Sequence, residues 1–444
     1  MSRRNQERGI SRRRALAAVA TTSFVGAFDW SAPLRLHADK LKRRGMACIL
    51  LWMPGGPSQF ETFDPKPDHS NGGETKAIDT KVPGIRFAEN LPELAKVADK
   101  LAVIRSMSTK EGDHGRGSYL MHTAYQPVVG VQFPTAGAVA AHEIADASCE
   151  LPAFVRIGGA TSVGAGYLGR KYDAFPVTTA GKPPENSRPT TDDARFRGRI
   201  GLMSQLGAVG KYSDGSKSEH TELYDAASRM VLSPQMAAYE IEREKQSVRA
   251  AYGIMPPDSL RNVAMGRGNF NPQAVEARRS QFGADCLLAR RLVEQGVTFV
   301  EASVPGWDTH QDNFNACRGL CGILDLPFAQ LIRDLEERGM LERTLVVWAG
   351  EFGRTPKVNP SVGRDHYPRA FSAVLAGAGI RGGQVVGRTS EGGDAVEERP
   401  VNEKDFYRSI YKALGINAAK QILTPIGRPI KFVDGGEPVK ELFA

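Results

Sequence analysis

The sequence predicts an α/β protein with a mostly parallel central sheet and helices on both faces of that sheet. Continuous apolar runs that alternate with helical patterns are typical of parallel strands buried on both sides. A helical or loop insertion is also predicted, because one long stretch breaks this alternation. The apolar runs are 46–53, 100–107, 153–159, 297–304, 344–350 and 371–377.

Two helical patterns lie between the later runs. ADCLLARRLVEQG, at 284–296, has apolar residues at helical spacing and ends at a glycine. GILDLPFAQLIRDLEERGML, at 322–341, has the same spacing, and Pro327 should start or kink that helix. Residues 178–275 are instead rich in Pro, Gly, Ser and charge, with amphipathic helices predicted around 220–230 and 234–251. We interpret 178–275 as an insertion, or cap, over the sheet.

The N-terminus predicts an export signal. The chain of 444 residues has a formal net charge of +8, and residues 1–38 contribute +5 of it, from seven Arg, one Asp and one Glu. Arg12 and Arg13 precede fourteen uncharged residues, a run too short to span a bilayer. Ser11-Arg12-Arg13-Arg14-Ala15-Leu16 resembles a twin-arginine signal, whose partner is the twin-arginine export machinery. A signal over 1–38 and a domain over 39–444 are therefore expected, in a periplasmic or otherwise exported protein.

Other classes of partner are disfavoured. The chain lacks a basic stripe with interleaved aromatic residues, so nucleic acid is not expected. No stretch of the mature chain reaches eighteen apolar residues, so no stable membrane span is expected either. The five cysteines show neither a disulfide framework nor a paired zinc motif.

Chemistry-bearing side chains follow the predicted strands, where ligands of parallel sheets bind. The first run is followed by Gly55-Gly56, with Glu61 and Asp64 beyond. The second run is followed by a cluster whose members could hold a metal or grip an oxyanion. That cluster is Asp113, His114, Arg116, Ser118 and His122.

Two later strand ends repeat the pattern. Asp308 and His310 stand two residues apart after the fourth run, so both can face one ion. The fifth run ends directly before Glu351, with Arg354 close behind. Asp365 and His366 follow in the same long loop.

The convergence of these groups predicts a metal centre at the edge of the sheet. Four strand ends each supply a carboxylate, and three also supply a histidine. Such a centre could hold zinc, manganese or calcium, with Arg116 and Arg354 available to orient an anionic group.

Five segments resemble the family known as domain of unknown function 1501, which is placed in the alkaline phosphatase and sulfatase superfamily. They are GGPSQFETFDPKP, GDHGRGSYLMHTAY, GAGYLGRKYDAF, WDTHQDNF and GEFGRTPKVNPSVGRDHYP. The resemblance covers about residues 45–440. It implies an alkaline phosphatase-like fold and hydrolysis or transfer of phosphate or sulfate esters at a site with one or two metal ions.

The resemblance also implies roles for particular residues. Asp308, His310, His366 and Glu351 correspond to metal ligands, with Asp365 adjacent to them. Phe352 stands where a further histidine ligand is usual. His114 takes the position of the usual nucleophile, beside Asp113, and it could be a nucleophile or a ligand. The first strand lacks its usual metal-binding Asp, and Asp64 or Glu61 could substitute.

We therefore expect an exported, metal-dependent hydrolase that acts on a small anionic ester or on a sulfated or phosphorylated glycan. The alternative is a catalytically decayed relative that binds an anion, a glycan or a protein partner. A third possibility is a structural metal site with a closed coordination shell.

Overall fold

A computed structural model describes residues 45–158, 163–185, 187–209, 219–256, 259, 270–424 and 426–443. The predicted signal, 1–38, lies outside the described residues. An eight-stranded sheet forms the centre of the described part of the chain. Its strands are β1 (Ala47–Trp52), β2 (Leu101–Met107), β3 (Phe154–Ile157), β4 (Phe175–Val177), β5 (Phe299–Ser303), β6 (Thr344–Ala349), β7 (Phe371–Ala376) and β8 (Gln384–Val386).

The strands are arranged in the order β8-β2-β7-β6-β1-β5-β3-β4. Seven of them run in one direction, and β7 is antiparallel to both of its neighbours. All six predicted runs are strands of this sheet, so the predicted fold class is confirmed. The three-residue edge strands β4 and β8 were not predicted, because they are too short to give a periodic signal and β4 contains Pro176.

Nine α-helices accompany the sheet in the described residues. They are α1 (Pro92–Ala95), α2 (His114–Thr123), α3 (Ala136–Ile144), α4 (Asp193–Val209), α5 (Glu219–Leu232), α6 (Gln246–Ala251), α7 (Pro272–Glu294), α8 (Asn313–Glu337) and α9 (Glu403–Ala413). Two-stranded ribbons join Ala77–Asp79 to Arg86–Ala88, Gly353–Arg354 to His366–Tyr367, Arg388–Thr389 to Val396–Glu398, and Gln421–Leu423 to Pro429–Lys431.

Side chains of β1 alternate between two hydrophobic cores. Ile49 and Leu51 pack with α7 and α8 on one face of the sheet. Cys48 and Leu50 pack with α3 and α9 on the other face. Burying an aliphatic side chain of this size contributes about 1.5–3 kcal/mol, so both faces stabilise the strand from which the first loop of the site departs.

The predicted insertion is helical in part. The predicted helix around 220–230 corresponds to α5, but 234–251 is broken into 3-10 turns, Pro234–Tyr239 and Ile241–Arg243, followed by α6. The break follows from Glu240, whose ψ of 78° lies outside the helical region. The turns pack on α7, where Arg291 donates hydrogen bonds to the carbonyls of Ala237 and Ala238.

Two other expectations can be compared with the structure. Helix α8 continues through Pro327, which the sequence suggested as its start or a kink. All five cysteines are free thiols.

None of the helices in the described ranges has the length and apolar character needed to cross a membrane.

Candidate metal centre

The predicted site residues lie on the side of the sheet at which its parallel strands end, which is the edge referred to below. β1, β2, β5 and β6 all end at this edge, so their following loops meet there. Because β7 runs in the opposite direction, it begins at the same edge. The segment before β7, with Asp365 and His366, therefore also reaches the site.

Three imidazoles surround one carboxylate oxygen. Asp308 Oδ1 lies 3.2 Å from His114 Nε2, 3.1 Å from His310 Nε2 and 3.2 Å from His366 Nε2. His310 Nε2 and His366 Nε2 are 3.0 Å apart. The ligand atoms of His114, Asp308 and His366 all lie within 4.8 Å of one another. Each of the three Nε2 atoms is therefore a near neighbour of the same carboxylate oxygen.

The other ring nitrogen of each imidazole, Nδ1, lies within hydrogen-bond distance of an oxygen. His114 Nδ1 lies 2.7 Å from Glu351 Oε1, and His310 Nδ1 lies 2.8 Å from Asp365 Oδ1. His366 Nδ1 lies 2.7 Å from the carbonyl oxygen of Gly112. These oxygens can only accept hydrogen bonds, so Nδ1 is the nitrogen that donates to each of them when Nε2 binds a metal ion. Metal-binding histidines are oriented in this way.

These residues fit a divalent metal ion. Ligand atoms at about 2.0–2.2 Å from one ion must lie roughly 3–3.5 Å from each other, and each of the three Nε2 atoms lies 3.1–3.2 Å from Asp308 Oδ1. His114 Nε2 and Glu351 Oε2 are buried atoms that find no hydrogen-bond partner in the described part of the chain. A nitrogen-rich set suits zinc or manganese better than calcium, which prefers oxygen ligands.

The charge state of Asp308 also suits a ligand. Burial raises the pKa of Asp308, but the hydrogen bond and charge of Arg354, with the imidazoles of His366 and His114, outweigh burial and lower the pKa to about 2. The carboxylate is therefore ionised at neutral pH. The hydrogen bond that His114 donates to Glu351 raises the pKa of His114, although burial opposes it.

The guanidinium of Arg354 binds the carboxylate of Asp308. The guanidinium is fully buried and donates to Asp308 Oδ1 at 2.6 Å. Its remaining bonds go to the carbonyl oxygens of Gly55, Gly56 and Arg364. The sequence interpretation had Arg354 orienting an anion; in the structure its hydrogen bonds go to Asp308 and to backbone carbonyl oxygens.

The glycine pair after β1 holds a carboxylate of the protein. Gly55 N donates to Glu351 Oε1 at 2.8 Å. Gly55 has a φ of +115°, and a Cβ there would lie 2.4 Å from Asp308 N. A Cβ on Gly56, whose φ is +77°, would lie 2.7 Å from the ring of Phe352. Both glycines are therefore required for close packing of the site loops.

Two more residues of the predicted cluster after β2, Asp113 and Arg116, lie at the start of α2. Asp113 is the N-cap of α2, and its side chain accepts a hydrogen bond from Arg116 N at 2.9 Å. This bond lowers the pKa of Asp113. The side chain of Arg116 is exposed and pairs with Glu111 at 2.9 Å. Asp113 thus fixes the helix that presents His114, while Arg116 lies at the surface beside it.

The acidic residues beyond β1 are engaged elsewhere. Asp64, expected as a metal ligand, is buried and pairs with Lys66 at 3.1 Å and with Arg105 at 3.6 Å. It also accepts a hydrogen bond from Thr389. None of these partners belongs to the cluster around Asp308. Glu61, the alternative, pairs with Arg364 at 3.0 Å.

Two contacts in the site were not predicted from the sequence, the packing of the Phe352 ring and the hydrogen bond to the Gly112 carbonyl. Phe352 is fully buried, and its ring centroid lies 5.1 Å from that of His114 and 4.6 Å from that of His366. The ring packs against both imidazoles and gives the cluster an apolar surface on that side. The carbonyl of Gly112 orients His366, and because every residue has a carbonyl group, no sequence signal could have identified it.

The cluster is open to solvent. The side chains of His310 and Asp308 are 42% and 46% exposed, and that of His114 is 38% exposed. Structural metal sites have closed shells, whereas catalytic sites keep a position for water or substrate. The exposure therefore favours a site where a further ligand can bind.

Comparisons with solved structures give several proteins to which this chain is similar. The PsFucS1 sulfatase from a Pseudoalteromonas species is 13% identical, with 86% of this chain and 70% of that chain covered and a TM-score of 0.39. The phosphonate monoester hydrolase of Agrobacterium radiobacter is 14% identical, with 89% and 78% covered and a TM-score of 0.33. The lipoteichoic acid synthase LtaP from Listeria monocytogenes is 9% identical, with 88% and 75% covered and a TM-score of 0.36.

A search of curated proteins finds no match to the chain. The profile of a protein family, by contrast, matches residues 46–443, nearly all of the expected mature chain. This extent confirms the resemblance carried by the five sequence segments. The chain belongs to the family described as protein of unknown function (DUF1501).

Proposed function

We propose that this protein is an exported, metal-dependent hydrolase of a phosphate or sulfate ester. The observation that carries the proposal is the convergence of three imidazole Nε2 atoms on Asp308 Oδ1, with an oxygen behind each Nδ1. A divalent metal bound there would polarise the ester and lower the pKa of a bound water. The open edge of the cluster leaves room for both.

The residues divide into ligands and groups that orient them. His114, His310, His366 and Asp308 would hold the metal. Glu351, Asp365 and the Gly112 carbonyl keep the three imidazoles in the tautomer that binds a metal. Arg354 keeps Asp308 ionised and in place.

We assign His114 as a ligand rather than a nucleophile. Its Nδ1 is occupied by Glu351, and its Nε2 lies 3.2 Å from Asp308 Oδ1, within the group of ligand atoms. A nucleophile would need that lone pair for the substrate. Arg116 remains as an exposed cation beside the cluster that could contact the anionic group of the ester.

Two features of the sequence support the reaction class and the location. The five motif segments resemble the alkaline phosphatase and sulfatase superfamily, which implies a phosphate or sulfate ester. The Arg12-Arg13 pair and the apolar run behind it support export. Cell fractionation would contradict export if the chain remained in the cytoplasm at its full precursor length.

The first test is elemental analysis of the purified protein. We expect about one zinc or manganese ion per chain, because the described cluster provides one set of converging ligands. The double variant Asp308→Ala/His366→Ala should lose the metal and the hydrolysis of 4-nitrophenyl phosphate or 4-nitrophenyl sulfate, while it stays folded.

His142→Ala is the matched control, since His142 lies on α3 and pairs with Glu143 instead of the cluster. It should keep both metal and activity. A folded wild-type protein that stays free of metal after reconstitution would contradict the metal centre. A loaded protein that hydrolyses neither ester would favour a binding role.

A further inference from the structure

A second feature at this edge of the molecule is a cavity between the first turns of α7 and α8. Its volume is about 390 Å³, which is within the range of small-molecule sites. One wall comes from α7 and the residues just before it, and the other comes from α8. The side chains that matter for its chemistry are Phe270, Val275, Glu276, Arg279, Asn315 and Arg318.

The topology places this cavity on the same side of the sheet as the candidate metal centre. Helix α7 precedes β5 and packs along it, and α8 follows the β5 loop and precedes β6. Both helices therefore begin at the edge where the strands end. The start of α8 is joined to the site loop, because Asp312 N and Asn313 N donate to the carbonyls of Ser361 and Val362.

Two guanidinium groups give the cavity its charge. Arg279 uses Nε to donate to the carbonyl of Gly322 at 2.9 Å, and Arg318 uses Nη1 to donate to Asn315 Oδ1 at 2.8 Å. Neither forms an ion pair with a carboxylate of the described residues. Since a guanidinium has five N–H donors, both retain donors for an anionic group.

The other residues that line the cavity indicate a ligand larger than a simple inorganic anion. Glu276 supplies carboxylate oxygens that can accept hydrogen bonds from hydroxyl groups. Asn315 accepts from Arg318 and donates to Asp312 Oδ1 at 2.8 Å, which leaves one amide hydrogen and one lone pair for a ligand. Phe270 and Val275 add apolar surface. Gly319 allows this wall to form, since a Cβ there would lie 2.4 Å from Phe270 Cδ1.

We propose that this cavity binds a sugar unit that carries an anionic group. The two arginines would hold the anionic group, Glu276 and Asn315 the hydroxyls, and the apolar wall the body of the ring. That this unit belongs to the substrate of the neighbouring centre rests on the proposed function. The binding itself does not, because none of these side chains belongs to the metal cluster.

Binding is best tested on the Asp308→Ala/His366→Ala protein, which lacks the proposed metal ligands. Ligand-observed NMR with glucuronate as the probe should detect binding. Arg318→Ala and Arg279→Ala should each weaken it at least tenfold. Arg318 is exposed, so its removal should leave the thermal unfolding temperature unchanged.

Arg381→Ala serves as the matched control, since Arg381 is an exposed arginine just before β8, at the opposite edge of the sheet. It should bind glucuronate as tightly as the parent protein. Absence of glucuronate binding would overturn the proposal. So would equal affinity for glucose, which lacks the anionic group, or for inorganic sulfate, which lacks the sugar ring.

Failure of this test differs from failure of the proposed function. If glucuronate binds and the wild-type protein holds no metal, the cavity stands and the hydrolase proposal does not. If metal and hydrolysis are present but glucuronate does not bind, the cavity assignment alone is wrong.

Discussion

Glu351 Oε1 accepts two hydrogen bonds, from Gly55 N at 2.8 Å and from His114 Nδ1 at 2.7 Å. Its position directly after β6 had suggested a metal ligand. In the structure, His114 Nε2 rather than Glu351 lies among the converging ligand atoms. We therefore interpret the carboxylate as the group that fixes the orientation and tautomer of the imidazole.

This interpretation makes Glu351→Gln informative. The amide oxygen can still accept both hydrogen bonds, but the negative charge behind His114 is lost. Changes to such orienting groups typically weaken metal affinity 10–100-fold, and we expect a loss in that range without unfolding. Competition with a chromophoric chelator would measure the dissociation constant.

The result also separates two roles for this residue. Complete loss of metal, as severe as in Asp308→Ala, would show that Glu351 is itself a ligand. Asp365→Asn is the companion variant, since Asp365 orients His310 but is more exposed. We expect a smaller effect from it.

At this scale the sequence predicted which side chains lie together better than the contacts that each of them makes. Asp308, His114, His310 and His366 could be found because each follows a strand end, or precedes β7, at one edge of the sheet. The roles depend on which oxygen each Nδ1 meets, and that is decided by contacts between distant loops. The sequence assigned Arg354 to an anion and Asp64 to a metal, because some of the groups that engage them, such as Arg105 for Asp64, are far away in sequence.

At the scale of elements, the loops after β1 and β6 are held together by a buried ion pair. Arg364 donates to Glu61 Oε1 from Nε at 3.2 Å and from Nη2 at 3.0 Å, and both side chains are fully buried. Arg364 also donates to the carbonyls of Asn71 and Thr355. The ion pair therefore also fixes the position of Asp365 and His366, which follow Arg364 in sequence.

Breaking this pair should destabilise the protein strongly. Glu61→Gln leaves the buried guanidinium of Arg364 without a counterion, and such losses cost about 3–5 kcal/mol. Urea unfolding should therefore show a much lower midpoint. Metal affinity should fall as well, because His366 follows Arg364 by two residues.

An exposed pair provides the comparison. Lys171 and Glu222 are 3.0 Å apart with both side chains about half exposed, and such pairs contribute about 0–1 kcal/mol. Glu222→Gln should thus barely move the urea midpoint or the metal affinity. If Glu61→Gln were equally mild, the pair would not be what joins the two loops.

The elements themselves were predicted where their signal is local. The six apolar runs are all strands of the sheet, since a fully buried strand reads as a continuous apolar segment. The reversed direction of β7 was not predicted, because strand direction depends on pairing and leaves no mark in the run itself. The helix expected over 234–251 is interrupted at Glu240, where the backbone leaves the helical region.

At the scale of the whole molecule, α7 joins the sheet to the segment that follows β4. Asp285, on α7, is buried and accepts hydrogen bonds from Gln281 Nε2 at 2.9 Å and from the backbone of Ala180. Burial raises the pKa of Asp285 to about 7, although these hydrogen bonds oppose the change. The charge of this one residue therefore makes the stability of the fold depend on pH.

Whether stability rises or falls with pH follows from the protonation of Asp285 in the folded and in the unfolded chain. Below pH 3.8, the ordinary pKa of the group, the carboxyl is protonated in both the folded and the unfolded chain. As the pH rises toward 7, the unfolded chain releases the proton while the folded chain keeps it, so unfolding becomes more favourable. One pH unit corresponds to about 1.4 kcal/mol, so a shift from 3.8 to about 7 removes up to about 4 kcal/mol.

Asp285→Asn should therefore stabilise the protein at high pH. The amide cannot ionise, and its oxygen can still accept a hydrogen bond from Gln281 or Ala180. We expect the free energy of unfolding at pH 8 to rise by on the order of 2 kcal/mol, with little change at pH 4. Urea unfolding at both pH values measures the difference, and exposed Asp79→Asn is the control that should change neither. A variant that is less stable than the wild type at pH 8 would contradict this, because it would mean that the charge of Asp285 stabilises the contact between α7 and the segment after β4.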